Sequence, residues 1–374
     1  MDFNRSDDHR LLAESLSRYL HDNYSHSHRM ESSATDTGYS PDSYTALCEL
    51  GIVGALLPES CGGYGGGGYD ISVVFEELGK ALVVEPLLST AVMCGNLLAD
   101  LSNDTHRELI EQIIKGSTTV ALANYEPGSR YQLDHINCTA TKNGDHWVLH
   151  GHKNQILNAG TADYFIVIAR SDKQSQLQKG LSCYLIPKDS PGLSINSYPT
   201  IDGYQSGDIS LENVKNAILL GSDGNAYDTL EKSIARGNLA LCAEAYGAMT
   251  VCKKLTIEYL QTRKQFGVEI GKFQVLQHRM VDVLIEIEQA KSAVLNAASH
   301  IDDNRATRES QISATKNLIG RTAKFVAEES IQLHGGIAMT WEYSLSHYAK
   351  RLVMIDHLFG DTDYHLQRYI EFTT

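Results

Sequence analysis

The hydrophobic period of this 374-residue chain changes twice, and that change limits its fold more than any single motif. Up to about residue 118, apolar residues recur at helical spacing. Leu11, Leu12, Leu16 and Leu20 form one such set and Val73, Val74, Leu78 and Leu82 another, and each predicts a core-facing helix stripe. From about 119 to 222 the period becomes two and turn residues multiply. Residues 136–141 and 146–150 flank Lys142-Asn143-Gly144-Asp145, a hairpin pattern, and 163–170, 181–187 and 208–211 predict further strands. Short strands at this spacing predict a barrel or sandwich and weaken any dinucleotide fold of alternating strands and helices. Long stretches with few helix breakers return at 225–262, 272–302 and 307–333, lengths suited to an antiparallel bundle. The expectation is an α+β chain with an N-terminal helical domain over 1–118, a middle β-barrel over 119–222 and a C-terminal antiparallel helix bundle over 223–374.

A formal net charge of -14, with no basic stripe to offset it, argues against a nucleic-acid partner, because phosphate binding needs concentrated Lys and Arg. No apolar run approaches the ~20 residues that span a bilayer. The opening Met1-Asp2-Phe3-Asn4-Arg5 lacks the basic start and apolar core of a signal peptide, so a cytoplasmic location is expected. Seven cysteines without a CxxC pair predict free thiols rather than disulfides or zinc ligands. No metal site is expected, and His26 and His28 read as surface histidines of a polar segment.

The run from Gly62 to Gly68, broken by Tyr64, invites a phosphate-loop reading but lacks the Lys-Ser/Thr ending and the strand–helix setting. Gly237 and Gly247, inside a long helical stretch, imply close approach by a helix or ligand. Arg263-Lys264-Gln265-Phe266-Gly267, followed by Phe273-Gln274 and Gln277-His278, places a fixed cation, an aromatic face and carboxamides at a helix end and the next helix start. Arg offers a bidentate fork for phosphate and Phe a stacking surface, although a helix-terminal cation and a core aromatic explain the same residues. Gly335-Gly336, after Gln332-Leu333-His334, reads first as a helix C-cap. The same pair lets backbone N–H groups approach a ligand closely.

These segments resemble the acyl-CoA dehydrogenase superfamily. Residues 259–267, the Phe273-Gln274 and Gln277-His278 pairs and 329–336 look like its C-terminal helices. Residues 57–65, 76–79 and 211–214 stand in the expected order, so the likeness runs along nearly the whole chain. The small subunit of pimeloyl-CoA dehydrogenase-type enzymes is the nearest variety, judged from 241–249 and the ending 359–366.

The resemblance implies FAD as cofactor, an acyl-CoA thioester as substrate and α,β-desaturation by proton abstraction and hydride transfer. It also implies an electron-transfer acceptor and a homo- or hetero-oligomer, a dimer of dimers, because these C-terminal motifs hold a neighbour's FAD. Arg263 would meet the pyrophosphate, Gln265, Phe266 and Gln274 the adenosine half, and Gln332, Gly335 and Gly336 would complete the site. The family's barrel segment Thr-Glu-Pro-x-x-Gly-Ser-Asp reads here as 123–130. Its Lys-x-Trp-Ile-Thr segment, which supplies a flavin cover and a hydroxyl, reads Lys153-Asn154-Gln155-Ile156-Leu157. The usual base, a Glu before Gly-Thr, falls at Phe359-Gly360-Asp361-Thr362, and the other family address falls at Gly237-Asn238. Asp361 is therefore the candidate catalytic base, with Glu244 behind it because a carboxylate in an apolar helix needs a partner or a raised pKa. A non-catalytic subunit that completes a partner's FAD site is the alternative expectation.

Overall fold

The computed structural model describes residues 6–101, 104–144, 146–171 and 178–374. Its helices are α1 (Asp7–Asn23), α2 (His26–Ser33), α3 (Pro41–Glu49), α4 (Ile52–Ala55), α5 (Gly68–Ala81), α6 (Asn96–Asp100), α7 (Asp104–Ile114), α8 (Tyr227–Thr262), α9 (Gln274–Ser299), α10 (Arg305–His334), α11 (Leu345–His357) and α12 (Thr362–Thr373). The strands are β1 (Val120–Ala123), β2 (Thr139–Asn143), β3 (His146–Leu157), β4 (Tyr164–Arg170), β5 (Leu181–Pro187), β6 (Leu193–Pro199), β7 (Gln205–Leu220), β8 (Lys264–Gln265) and β9 (Val268–Glu269). No helix among the described residues is long and apolar enough to cross a membrane.

Two compact units make up the chain. The first comprises Met1–Arg29, Gly67–Val83 and Asn238–Thr374 and is helical. Ser6 caps α1 by accepting from the His9 N–H, and Asp7 and Asp8 meet the positive end of the helix dipole. Leu16 and Leu20 are buried as the spacing predicts, but Leu11 is 60% exposed, because the core stripe passes through Ala13 instead. On α5, Val73, Val74 and Leu78 are buried, and Leu82 closes its end in a left-handed conformation. A Cβ on Gly79 would collide with the Glu244 carbonyl, and one on Gly247 with that of Glu76. Backbone-to-backbone contact between α5 and α8 thus accounts for the helical Gly247. The buried stripes of α9 (Met280, Val283, Ile287, Ala290, Val294) and α10 (Ile312, Ile319, Ala323, Val326) follow the helical repeat. Each large apolar side chain so buried stabilises the bundle by roughly 1.5–3 kcal/mol.

The second unit, Met30–Gly66 with Val84–Gly237, contains the barrel. Strands β4, β2, β3, β7 and β5 pair in that order, and β5 returns to β4 to close the ring. The expected hairpin is present, with Thr139 opposite His150 and Asn143 opposite His146. β1 pairs in parallel with β4, and β6 lies antiparallel on β7. Residues Phe165 to Ala169 of β4 are all buried, so this strand is covered on both faces, and its sequence is a continuous apolar run. β1 is fixed to a buried π-helical segment, Leu88–Gly95, through Thr90 Oγ1, which donates to Val120 O (3.1 Å) and accepts from Val120 N (3.2 Å). The amides from Gly62 to Gly67 are all spent within the chain. Tyr64 N–H, Gly65 N–H and Gly66 N–H donate to the carbonyls of Gly54, Leu57 and Ala55 at 3.0, 3.0 and 2.8 Å.

Candidate functional site

Helix α8 ends one residue before Arg263. A two-residue turn, Phe266-Gly267, joins β8 to β9 with φ of 54° and 82°, the mirror-image turn that suits hairpin twist. Gly267 adopts this conformation at no steric cost, whereas Phe266 does not. The Phe266 ring is 91% exposed and touches the Phe273 ring edge-on, with centroids 6.3 Å apart. Below it Glu269 pairs with Lys272 at 2.6 Å and Lys264 at 3.4 Å, and the Lys272 bond chiefly holds its carboxyl down to about 2. Arg263, Gln265 and Gln274 are exposed around this tip. The Arg263 guanidinium makes no ion pair with another described residue.

The glycine turn lies at the same end of the bundle. Its neighbour His334 is buried and stacks on Tyr259 of α8 (4.6 Å between centroids, 26° between planes), with Tyr343 at 5.4 Å. His334 Nδ1 bonds Ser330 O at 2.8 Å, and burial lowers the pKa of the imidazole. The Tyr259–His334 stack brings the Arg263 hairpin and the Gly335-Gly336 turn together across 72 residues of sequence, a link that sequence reading missed although it singled out both segments. Gly335 caps α10 with φ 70°, Gln332 is exposed one turn back, and a Cβ on Gly335 or Gly336 would meet nothing within 4 Å. The chain therefore offers a cation, a displayed aromatic ring, carboxamides and bare backbone in one place. That set fits a pyrophosphate and an attached heterocycle.

Asp361 lies on a different turn, between α11 and α12. It is the N-cap of α12, with one carboxylate oxygen accepting from Tyr364 N–H at 2.9 Å. Phe359, which opens the stretch matching the family's Glu-Gly-Thr, is buried with φ 56°. Glu244 has its partner. Arg351 grips it bidentately at 2.5 and 2.8 Å, with both side chains almost fully buried. His26 and His28 turn to different neighbours, His347 and Tyr24. Among the described residues no group of three or more metal-binding side chains converges.

In the barrel, Glu126 accepts from Asn137 N (2.6 Å), Cys138 N (2.9 Å) and Lys153 Nζ (2.8 Å), and Lys153 also donates to Asn124 O (3.2 Å). This buried pair joins the two segments that depart from the family pattern. Sequence reading did not pair them, because Glu126 lies in the loop after β1 and Lys153 among polar residues inside β3, where no local pattern marks either. Beyond it, Gln155 is exposed with φ 55°, and Leu157 is half-buried.

Family models for the N-terminal, middle and C-terminal domains of acyl-CoA dehydrogenase match residues 6–117, 121–214 and 227–371. The chain is 30% identical over 319 residues to acyl-CoA dehydrogenase IpdE2 of Mycobacterium tuberculosis, covering 85% of this chain and 82% of that protein. The solved Tcur3481-Tcur3483 steroid ACAD superposes with a TM-score of 0.88 at 26% identity, covering 98% and 97% of the two chains. An FAD complex of PigA superposes at 0.90 and 24%, covering 99% and 98%. This chain belongs to the acyl-CoA dehydrogenase superfamily of oxidoreductases.

Proposed function

We propose that the protein is an FAD-dependent acyl-CoA dehydrogenase that forms the α,β double bond of an acyl-CoA thioester. The observation that carries this reading is the ordered match of all three family domains from residue 6 to residue 371. That match favours a catalytic chain over a subunit that only completes a partner's site. FAD, when bound, accepts the β-hydride. Arg263 holds the pyrophosphate, Gln265, Phe266 and Gln274 lie along the adenosine half, and Gln332, Gly335 and Gly336 complete the site, from across an interface between subunits. Asp361 takes the α-proton at its carboxylate, and the turn that carries it, Phe359 to Thr362, lines the reacting centre. The three-part division at 1–118, 119–222 and 223–374 belongs to the same reading.

The finer kinship, with the small subunit of pimeloyl-CoA dehydrogenase-type enzymes, rests on residues 241–249 and 359–366. A dimer of dimers, an electron-transferring acceptor and a cytoplasmic location, where seven thiols stay reduced, complete the proposal. The test is anaerobic mixing of the flavin-loaded protein with acyl-CoAs of graded chain length and branching. Bleaching of the oxidised flavin by at least one is expected. A spectrum unchanged by the whole panel overturns the reading.

A further inference from the structure

Lys316, in the middle of α10, has no exposed surface. Its ammonium donates to Ile355 O at 2.9 Å, Asp356 O at 3.1 Å and Gly360 O at 2.8 Å. An ammonium has three N–H donors and no acceptor, so every donor is spent on the end of α11 and the turn beyond it. The same helix holds the rest of the turn. Asn317 Nδ2 donates to Thr362 O (2.9 Å), and His365 bridges Ser313 Oγ (3.3 Å) and Phe359 O (3.2 Å). Phe359, at φ 56°, sits where an L side chain rarely rests unless its surroundings hold it.

Burial pushes the Lys316 ammonium down to about 8, against the opposing influence of Cys242, Asp356 and Asp361. Cys242, His365, Asp356 and Asp361 are the other titratable groups facing it. Burial pushes the Cys242 thiol of α8 up to about 12. Burial, then Lys316 and Arg368, hold the His365 imidazole well below its ordinary range. The Asp356 and Asp361 carboxylates accept from Thr362 Oγ1 (2.8 Å) and Tyr364 N–H (2.9 Å). A neutral amine keeps two donors and gains a lone pair, so one of the three carbonyls loses its partner.

We propose that Lys316, as an ammonium, is a positioning residue that latches the Phe359–Asp361 turn, and that release of this latch sets the alkaline limit of turnover. The inference rests on the reading above that this turn lines the reacting centre. Release does not melt the fold. Between about 8 and the ordinary 10.5 the unfolded chain binds this proton more tightly than the folded one, so the group's linkage raises global stability as pH rises through that window. A purely structural lysine predicts no separate alkaline event at the turn.

Hydrogen–deuterium exchange of residues 358–365, corrected for intrinsic exchange, and stopped-flow flavin reduction are measured together from about pH 6.5 to pH 10. In the wild type, protection and reduction rate should fall together, approaching tenfold per pH unit above the transition. Lys316→Met, of similar length and apolar, should show low protection and slow reduction at every pH. Lys316→Arg, whose charge persists above pH 12, should lose the alkaline limb. The wild-type series stands alone if either variant fails to fold by circular dichroism. Protection that stays flat in the wild type, or wild-type protection in Lys316→Met, overturns the latch whatever the flavin does. Release of the turn without flavin reduction by any acyl-CoA overturns instead the dehydrogenase reading and the catalytic half of this inference.

Discussion

The barrel pair Glu126–Lys153 and the hairpin at Arg263–Gly267 both come from segments that the family resemblance picks out, yet the fold treats their charges in opposite ways. Lys153 and Glu126 are buried, and their donors and acceptors are spent on each other and on nearby backbone. Arg263 is left in solvent beside a Phe266 ring that is 91% exposed. Burying a Phe side chain is worth roughly 1.5–3 kcal/mol, so a chain that displays one at a left-handed turn position forgoes that stabilisation. The difference teaches that motif likeness alone does not separate scaffold from ligand group. The separation comes from whether the fold already satisfies the side chain.

Asp361 tests this rule hardest, because it caps α12 and is also the proposed base. Asn is as good an N-cap as Asp but cannot take a proton. Asp361→Asn should therefore keep the melting temperature while slowing flavin reduction by about 10² to 10⁴-fold. Stopped-flow reduction at wild-type speed would leave Asp361 a cap and nothing more.

In the barrel the effect should fall on stability instead. Lys153→Met strands the buried Glu126 carboxylate with two backbone donors, and removing one partner of such a pair costs about 3–5 kcal/mol. Adding Glu126→Gln should recover much of the loss, because the stranded charge is gone. Thermal melts of the single and double variants decide the matter, and a single variant as stable as the wild type would break the contrast between the two regions.

At the hairpin the prediction reverses. Arg263→Ala should lower FAD affinity roughly tenfold to hundredfold, the equivalent of about 1.5–3 kcal/mol from a charge-assisted contact, and leave the apoprotein's melting unchanged. Flavin retention on gel filtration beside apoprotein melting reads both. Normal retention with a lower melting temperature would make Arg263 a helix-terminal cation.

The parts of the fold that local periodicity encodes were legible. β5 falls on 181–187 as expected, and the stretches at 225–262, 272–302 and 307–333 became helices over 227–262, 274–299 and 305–334. β1 and β6 were missed. β1 is only four buried residues, and β6 is a strand with no buried residue whose place is fixed by pairing with β7. At the candidate site, residue types and spacing showed Arg263, Phe266 and Gly335-Gly336. The Tyr259–His334 stack that joins them, the Arg351 partner of Glu244 and the Lys316 ammonium were not legible. Each depends on contacts between residues 39 to 107 positions apart, which no local period records.

The smallest expected effect is at Gly336, and it is also the cleanest separation of ligand from scaffold. Gly335 sits at φ 70°, so a substitution there confounds backbone strain with any loss of ligand space. Gly336 has no positive φ, and an added Cβ would meet nothing within 4 Å in this chain. On the protein's own account Gly336→Ala should be neutral or stabilising by about 0.4–1 kcal/mol, because alanine narrows the unfolded ensemble more than it constrains the native one. A glycine retained where alanine fits has its reason outside the chain. If that reason is close backbone approach to the cofactor, Gly336→Ala should raise the melting temperature of the apoprotein slightly while weakening FAD binding. Differential melting with and without added FAD measures both. A variant stabilised equally in the two conditions would show that the glycine turn is a helix terminus only, and would withdraw Gly336 from the cofactor site.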